Sequence, residues 1–447
     1  MAAVSDQGEL VLARGEGAHV FDEQGRDYLD AAGGLWFANV GHGRVEIAEA
    51  TARQLSTLAS YSTFGDLANR PALDLAERLA DLAPMADARV FFTSGGSDSV
   101  DTAVKLVRRY WSELGQPQRQ VIITREHAYH GMHLAGTSLA GIPANQASHG
   151  SLDSAVVVVP WNDAEALERV LSERDDIGAF FCEPVIGAGG VYAPPEGYLA
   201  AVRDSCRRHD VLFVADEVIT GYGRTGAMFA SERWNLDPDI MLTAKGLTSG
   251  YVPMGAVVVA GRVAGPFWTP QSHPVLWRHG YTYSGHAGAA AAAMANLDIL
   301  ERENLVVQVD HLQHVLGRGL APLSTYDVVA EVRTGVGLLT AVDFTPEALA
   351  HGVPARVLAG LRQRGVLTRL LASGALQISP PFVVTEQDIA DLAGAIDAAI
   401  KDAGGVARTP IAVGHEEPDL LPQITSDEGV DAFDDDHYLR DRPPHHG

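Results

Sequence analysis

The run VLFVADEV at 211–218 and the run DIMLTAKG at 239–246 decide how the rest of the chain is read. Both are apolar without alternation, the pattern of strands covered by helices on both faces. Each ends in a charged residue that leaves the apolar stretch, Asp216 in the first and Lys245 in the second. Open α/β sheets bind ligands at the carboxyl ends of their strands. Asp216 and Lys245 therefore stand where chemistry is done.

Working outward, QVIIT (120–124), AVVVVP (155–160) and AFFCEPV (179–185) repeat the same pattern between Phe91 and Ala260, alternating with helical stretches. This alternation predicts βαβ units and an α/β fold with a mainly parallel sheet. From about residue 320 the rhythm changes to EVRTGVGLLTAVDF, a helical stretch, LQISPPFVV and a last helix beginning near Thr385. Thr385 caps that helix, Asp388 is an acid in its first turn, and Ile389, Leu392, Ile396 and Ile400 share one face. The predicted organisation is an N-terminal segment at 1–65 packing with the small domain, a large domain at 66–319, a smaller α+β domain at 320–404 and an acidic tail at 405–447. GVG at 335–337 resembles half a dinucleotide fingerprint, but strand-like residues follow it and not a helix, so it reads as a turn.

A chain of 447 residues exceeds the size of one ordinary core. Its net charge of −24 disfavours nucleic acid and anionic membrane as partners. Part of that charge is local, since residues 416–442 hold ten acids against Arg440 and Arg442. Cys182 and Cys206 are the only cysteines and lack metal-like spacing, so they read as reduced structural thiols and no metal site is expected. With no secretory leader pattern and no apolar run of roughly 18 residues, the expected location is cytoplasmic.

The segment VFFTSGGSDSVDTAVKLVRRYW (90–111) reads as a strand, a glycine-bearing turn and a helix with Val100, Val104, Val107 and Trp111 on one face. Gly95, Gly96 and Ser97 then lie at a helix N-terminus, where free amides and the helix dipole favour a phosphate. Taken alone, a tight turn capped by Ser97 accounts for the same residues. A carboxylate at Asp216 can partner a cationic ring nitrogen; it also fits a metal-binding acid of nucleotide enzymes, but no GxxxxGK[ST] loop accompanies it. A lysine emerging from an apolar strand loses hydration unless something holds it, and a Schiff base is one such reason. A lysine reaching solvent from a strand end is the other. Together the three elements suit a pyridine cofactor that forms an imine with Lys245 and keeps its ring nitrogen protonated beside Asp216.

At this point the chain resembles the class III pyridoxal phosphate aminotransferases, of fold type I, up to about residue 404. The matching stretches are GLWFANVGHGR (34–44), FFTSGGSDSVDTAVKLVRRYW (91–111), YHG (129–131), EPVIGAGG (183–190), DEVITGYGRTG (216–226), AKG (244–246) and GYTYSGH (280–286). The resemblance implies a seven-stranded, mainly parallel sheet and pyridoxal 5′-phosphate as cofactor. It implies that Lys245 carries the cofactor, that Asp216 pairs with the pyridine nitrogen, and that Val218 and Tyr129 pack on the two ring faces. Gly95, Gly96 and Ser97 are implied at the phosphate, with Thr282 of the partner subunit, and His130 and Glu183 join the cofactor-binding set. A homodimer, or a tetramer built from it, follows from the shared site of the family.

Within the class the chain looks most like the ω-amino acid or amine:pyruvate branch, with an amine or amino acid as donor and a keto acid as acceptor. Trp36, Phe64, Tyr129 and Arg369 are the implied substrate residues, Trp36 as a wall of the pocket and Arg369 as the arginine that binds a carboxylate; read from the residues alone, Trp36, Phe37 and Phe64 fit ordinary core aromatics equally well. It stands eleven residues before the proline pair at 380–381. Arg224 and Arg333 read as structural, and lone histidines such as His42 and His130 are more often structural than catalytic. Asp98 and Ser99 stand where the family usually has Glu-Ala, and Ala287 where proline is common. Other class III reactions, such as those of an aminomutase, a phospho-lyase or a decarboxylating transaminase, share every cofactor motif. A cofactor-binding module without turnover is a further alternative.

Overall fold

In the computed structural model, which describes residues 9–268 and 275–408, three short antiparallel strands come first: β1 (Leu12–Glu16), β2 (His19–Asp22) and β3 (Asp27–Asp30). The main sheet follows, built from β4 (Arg89–Thr93), β5 (Val121–Arg125), β6 (Val156–Val159), β7 (Ile177–Cys182), β8 (Leu212–Asp216), β9 (Ile240–Thr243) and β10 (Gly255–Val259). Its order is β4-β10-β9-β8-β7-β5-β6, and only β10 runs antiparallel to its neighbours.

Successive strand side chains point to opposite faces, and here both faces are buried. Leu212 and Val214 of β8 join a core with Val100, Val104, Val107 and Trp111 of the helix Gly96–Glu113. Phe213 and Ala215, between them, join a second core with Leu167, Leu171, Leu199 and Val202 of the helices Ala164–Glu173 and Tyr198–Arg208. Burial on both sides is why these runs carry no polar alternation.

The remaining strands are β11 (Val329–Val336), β12 (Leu339–Phe344), β13 (Val366–Leu367) and β14 (Leu376–Ile378). β11, β12 and β14 form an antiparallel sheet, with Gly337 in the turn between its first two strands. β13 instead pairs parallel to β3, matching Val366 with Leu29 and Leu367 with Asp30. Segments more than three hundred residues apart in sequence thus leave one sheet at the same edge. The last helix, Glu386–Asp402, has Thr385 and Asp388 in a reciprocal cap and buries Ile389, Leu392, Ile396 and Ile400.

Residues 405–408, which the sequence assigns to the tail, are hydrogen-bonded to the body. Asp327 N donates to Val406 O at 3.0 Å, Val406 N donates to Asp327 Oδ1 at 2.8 Å, and Tyr326 bridges Ala407. A short strand-like pairing satisfies backbone groups that a free tail leaves to water. The acidic segment itself lies outside the described residues. Among the described residues no helix is long and apolar enough to cross a membrane, and no group of three or more His, Cys, Asp or Glu is placed to hold a metal ion.

Candidate active site

β8 and β9 are parallel neighbours with Asp216 opposite Leu242. The carboxylate of Asp216 and the chain leading to Lys245 therefore emerge side by side at the carboxyl edge of the sheet. Asp216 is 4% exposed. Its Oδ2 accepts a hydrogen bond from His130 Nδ1 at 2.7 Å, and its Oδ1 accepts from Val218 N at 3.1 Å. The His130 ring is fully buried, edge-on to Phe181.

Lys245 has a positive φ of 46°, a conformation that costs a non-glycine residue on the order of 1 kcal/mol or more. The residue keeps some surface toward the cavity, while its ammonium sits deep enough that burial pushes its pKa down to about 8, against the opposing pull of Asp216 and Glu183. A lysine so placed is partly neutral near physiological pH.

The helix Gly96–Glu113 starts without a side-chain cap, because Gly95 occupies the cap position. Ser97 is not the cap that the sequence alone allowed. Its Oγ accepts from Met132 N at 3.1 Å, tying the helix start to the loop after His130. Two glycines keep this corner open: a Cβ on Gly131 would lie 2.5 Å from Ser97 Oγ, and one on Gly96 would lie 2.9 Å from Val218 Cγ1. Asp98 and Ser99, the departures from the family pattern, hold the turn with Asp98 Oδ2 accepting from Ser94 N at 3.1 Å and Ser99 Oγ 2.8 Å from Thr93 Oγ1. Ala287 is the first residue of the helix Ala287–Arg302, a position that suits proline and alanine alike.

Glu183, at the end of β7, is 3% exposed and accepts from Tyr129 N at 2.9 Å and Gly187 N at 3.0 Å. Burial raises its pKa, with His130 the leading opposing influence. Tyr129 is likewise pushed up by burial, with Arg369 pulling the other way. Arg333, which the sequence places as structural, donates from Nη2 to Gly190 O at 2.8 Å and so ties β11 to the loop after Glu183.

One cavity is lined by Gly96, Ser97, Tyr129, His130, Glu183, Asp216, Val218 and Lys245, the residues that the sequence singles out for the cofactor. Val100, Gly131 and Ile219 also line it and were missed; Gly131 lies inside the YHG stretch, and the two aliphatic residues carry no signal apart from the core. A second cavity shares Tyr129 and Lys245 with the first and adds Trp36 and Arg369. The pairing of β13 with β3 brings these together, since Trp36 follows β3 and Arg369 follows β13. Trp36 is 3% exposed, with Lys245 Nζ 5.5 Å and the Arg369 guanidinium carbon 4.4 Å from its ring centroid. His42 is a structural contact, its Nε2 2.8 Å from Asp30 Oδ2 at the start of the Trp36 loop.

Three predicted residues line neither cavity. Gly95 O accepts from Ser99 Oγ behind the turn. Phe64 is 52% exposed with its ring against the backbone of Gly280, and Thr282 is exposed in the neighbouring segment. Thr63 Oγ1 donates to Ser284 O at 3.1 Å, so the two segments run together. Neither Phe64 nor Thr282 is among the residues that line the two cavities containing Lys245.

The groups present fit pyridoxal phosphate. A helix start kept open by glycine suits the phosphate, a buried carboxylate suits a cationic ring nitrogen, and a lysine with lowered pKa suits an imine. The sequence matches the Aminotransferase class-III family over residues 1–400. It is 35% identical over 421 residues to the putrescine–pyruvate aminotransferase of Pseudomonas aeruginosa, covering 87% of this chain and 90% of that protein. It is also 35% identical over 429 residues to gamma aminobutyrate transaminase 3, chloroplastic, of Solanum lycopersicum, covering 89% of this chain and 82% of the relative. Among solved structures, an amine transaminase from an uncultivated Pseudomonas species in its PLP-bound form superposes with a TM-score of 0.84 at 39% identity, over 90% of this chain and 97% of that one. With the seven-stranded sheet, the matched motifs and the Asp216–Lys245 edge in place, the chain belongs to the class III aminotransferases and is a pyridoxal phosphate-dependent enzyme of fold type I.

Proposed function

We propose that the protein takes an amino group from an amine or ω-amino acid and passes it to pyruvate, in two half-reactions at one site. What supports this reading is that Lys245 belongs to both cavities, with the cofactor set on one side and the Trp36–Arg369 pair on the other. When bound, pyridoxal phosphate supplies the electron sink that lets a proton leave the carbon bearing the donor nitrogen. Lys245 Nζ would take that proton from the donor carbon and deliver it to the cofactor carbon that carries the transferred nitrogen, a task suited to a pKa near 8. Asp216 holds the proton on the ring nitrogen, oriented by His130 and the Val218 amide. Gly96 and Ser97 receive the phosphate, while Tyr129 and Val218 wall the ring and Glu183 fixes the Tyr129 backbone.

Trp36 bounds the substrate side, and the Arg369 guanidinium receives the carboxylate of pyruvate or of a carboxylated donor. In this reading the working unit is a homodimer. Phe64 and Thr282, exposed and absent from the lining of both cavities, complete the neighbouring subunit's site in this reading.

The test is a set of half-reactions with purified holoenzyme. Putrescine, gamma-aminobutyrate, β-alanine, 1-phenylethylamine, taurine, ornithine and alanine are each mixed with enzyme, following loss of the cofactor's visible band and its return with pyruvate. Bleaching by alanine and by at least one amine, reversed by pyruvate, is the expected result. A cofactor band that no donor bleaches would overturn the transamination reading.

A further inference from the structure

Arg369 is a cation held without an acid. Its Nε donates to Gln377 Oε1 at 2.8 Å and its guanidinium lies over the Trp36 ring, while no described side chain engages its Nη groups. Burial lowers its pKa, and the group that opposes this is the Tyr129 phenol, not a carboxylate. The partner that fixes Nε is therefore neutral, and the fork of the two Nη groups is left for a ligand.

Gln377 lies on β14, opposite Ala341 of β12, and is fully buried. Its Nε2 donates to Ser379 Oγ at 2.6 Å and to Ala32 O at 3.2 Å. These contacts determine which way the amide points. Reversed, its NH2 would face the Arg369 donor and its oxygen would face the Ala32 carbonyl. Ala32 immediately precedes the turn that delivers Trp36, so one buried amide links the arginine to the wall on which it stacks.

The chemistry of the acceptor matters. A carboxylate in place of this amide would form an ion pair with Arg369 and compete with the carboxylate of a substrate. An apolar side chain would leave Nε unheld and the fork free to swing. An amide orients the guanidinium and leaves its charge uncompensated. We infer that Gln377 is a specificity-determining positioning residue, which presents Arg369 to substrate carboxylates and thereby sets how far the site favours them over amines that have none. This inference rests on the reading of Arg369 as the carboxylate-binding residue.

The test uses holoenzyme with 1-phenylethylamine as donor and pyruvate as acceptor, comparing wild type with Q377M, Q377E, R369L and the double variant R369L/Q377M. Q377M, which keeps the side chain's length, is expected to raise KM for pyruvate about tenfold, with kcat and the amine half-reaction changing less than about twofold. Q377E is expected to raise that KM further. The Kd of propanoate, a carboxylate without an amine, measured by calorimetry on holoenzyme, is expected to rise in step. Against R369L, Q377M is expected to add nothing. If R369L leaves the pyruvate KM and the propanoate Kd unchanged, the carboxylate reading of Arg369 fails. If R369L raises both but Q377M has the same effect with and without Arg369, or weakens amine and pyruvate alike, that reading stands and the role given to Gln377 falls. Should Q377E lose its thermal transition, the Q377M comparison alone decides.

Discussion

Asp216 Oδ2 and His130 Nδ1 lie 2.7 Å apart, and the other ring nitrogen, Nε2, is buried without a partner. The imidazole is thus a one-sided clamp, anchored to the carboxylate and packed edge-on against Phe181. Asp216→Asn removes the counter-charge for a protonated ring nitrogen, and turnover is expected to drop by about 100-fold or more with the fold intact. His130→Phe leaves the charge but frees its orientation; the loss expected of such an outer partner is about 10- to 100-fold. Steady-state rates with circular dichroism check both. Near-normal turnover in D216N would remove Asp216 from the mechanism.

The lowered pKa of Lys245 makes a prediction about pH. Cofactor-free protein captures pyridoxal phosphate through the neutral amine, so the rate of appearance of the visible band is expected to rise with pH and level off above about 8. The sign for stability is also determined. The folded pKa lies below the ordinary lysine value, so between the two the unfolded chain binds more protons, and the stability of cofactor-free protein gains as pH rises through that window. Lys245→Met is expected to abolish turnover and to flatten that dependence. A capture rate that climbs unchanged to pH 10 would show an ordinary lysine instead.

Much of this site is legible in the sequence because its parts sit at the ends of strands buried on both faces, and such strands announce themselves as apolar runs. Asp216 and Lys245 stand out as charges that interrupt them. The direction of β10 is not legible, since GAVVV has the composition of its parallel neighbours and only the connection from β9 makes it antiparallel. Trp36 can be found as a motif residue, but its φ of 63° is set by the turn through Gly33 and Gly34 and by the Asp30 carboxylate, which accepts from Gly34 N. The contact between Arg369 and Gln377 was invisible for a different reason. The two residues are eight apart, yet one follows a strand of the N-terminal sheet and the other lies on a strand of the C-terminal one. Phe64 and Thr282 are conspicuous in the sequence, but neither lines the cavities that hold Lys245.

The two adjacent glycines at the phosphate corner are expected to behave oppositely. A methyl on Gly96 meets Val218 Cγ1 at 2.9 Å, whereas nothing lies within 4 Å of the Cβ position of Gly95, whose φ of 172° is ordinary extended backbone. Gly96→Ala must displace Val218, the side chain proposed to wall the cofactor ring, at a cost of about 1–3 kcal/mol, so pyridoxal phosphate is expected to bind about tenfold or more weakly. Gly95→Ala is expected to bind it normally. Equilibrium dialysis of the two variants gives the comparison, and equal retention would remove Val218 from the cofactor's surroundings.

Arg224 joins three parts of the chain and, among the described residues, hydrogen-bonds to no carboxylate, with Asp30 acting on it only through space. It is fully buried; Nη1 donates to Pro380 O at 2.7 Å and Ser379 O at 3.2 Å, and Nη2 to Asn39 Oδ1 at 2.8 Å, with the Phe382 ring 4.7 Å away. Burial pushes its pKa down to about 9 against the pull of the Asp30 carboxylate, so the guanidinium is still charged at neutral pH, and its direct partners are neutral oxygens. Arg224→Met removes the buried charge but strands several acceptors, and unfilled acceptors cost about 1–3 kcal/mol each. Partial relaxation reduces the sum, so a net loss of about 2–4 kcal/mol is expected, read as a shift in the denaturant midpoint. Arg224→Lys keeps the charge but cannot reach acceptors on both sides, so it is expected to lose nearly as much. Since Asn39 and Ser379 flank the Trp36 loop and the Gln377 strand, whatever activity survives should show a raised KM for pyruvate before kcat falls. A lysine variant as stable as wild type would mean that charge alone, and not the forked geometry of the guanidinium, holds these segments together.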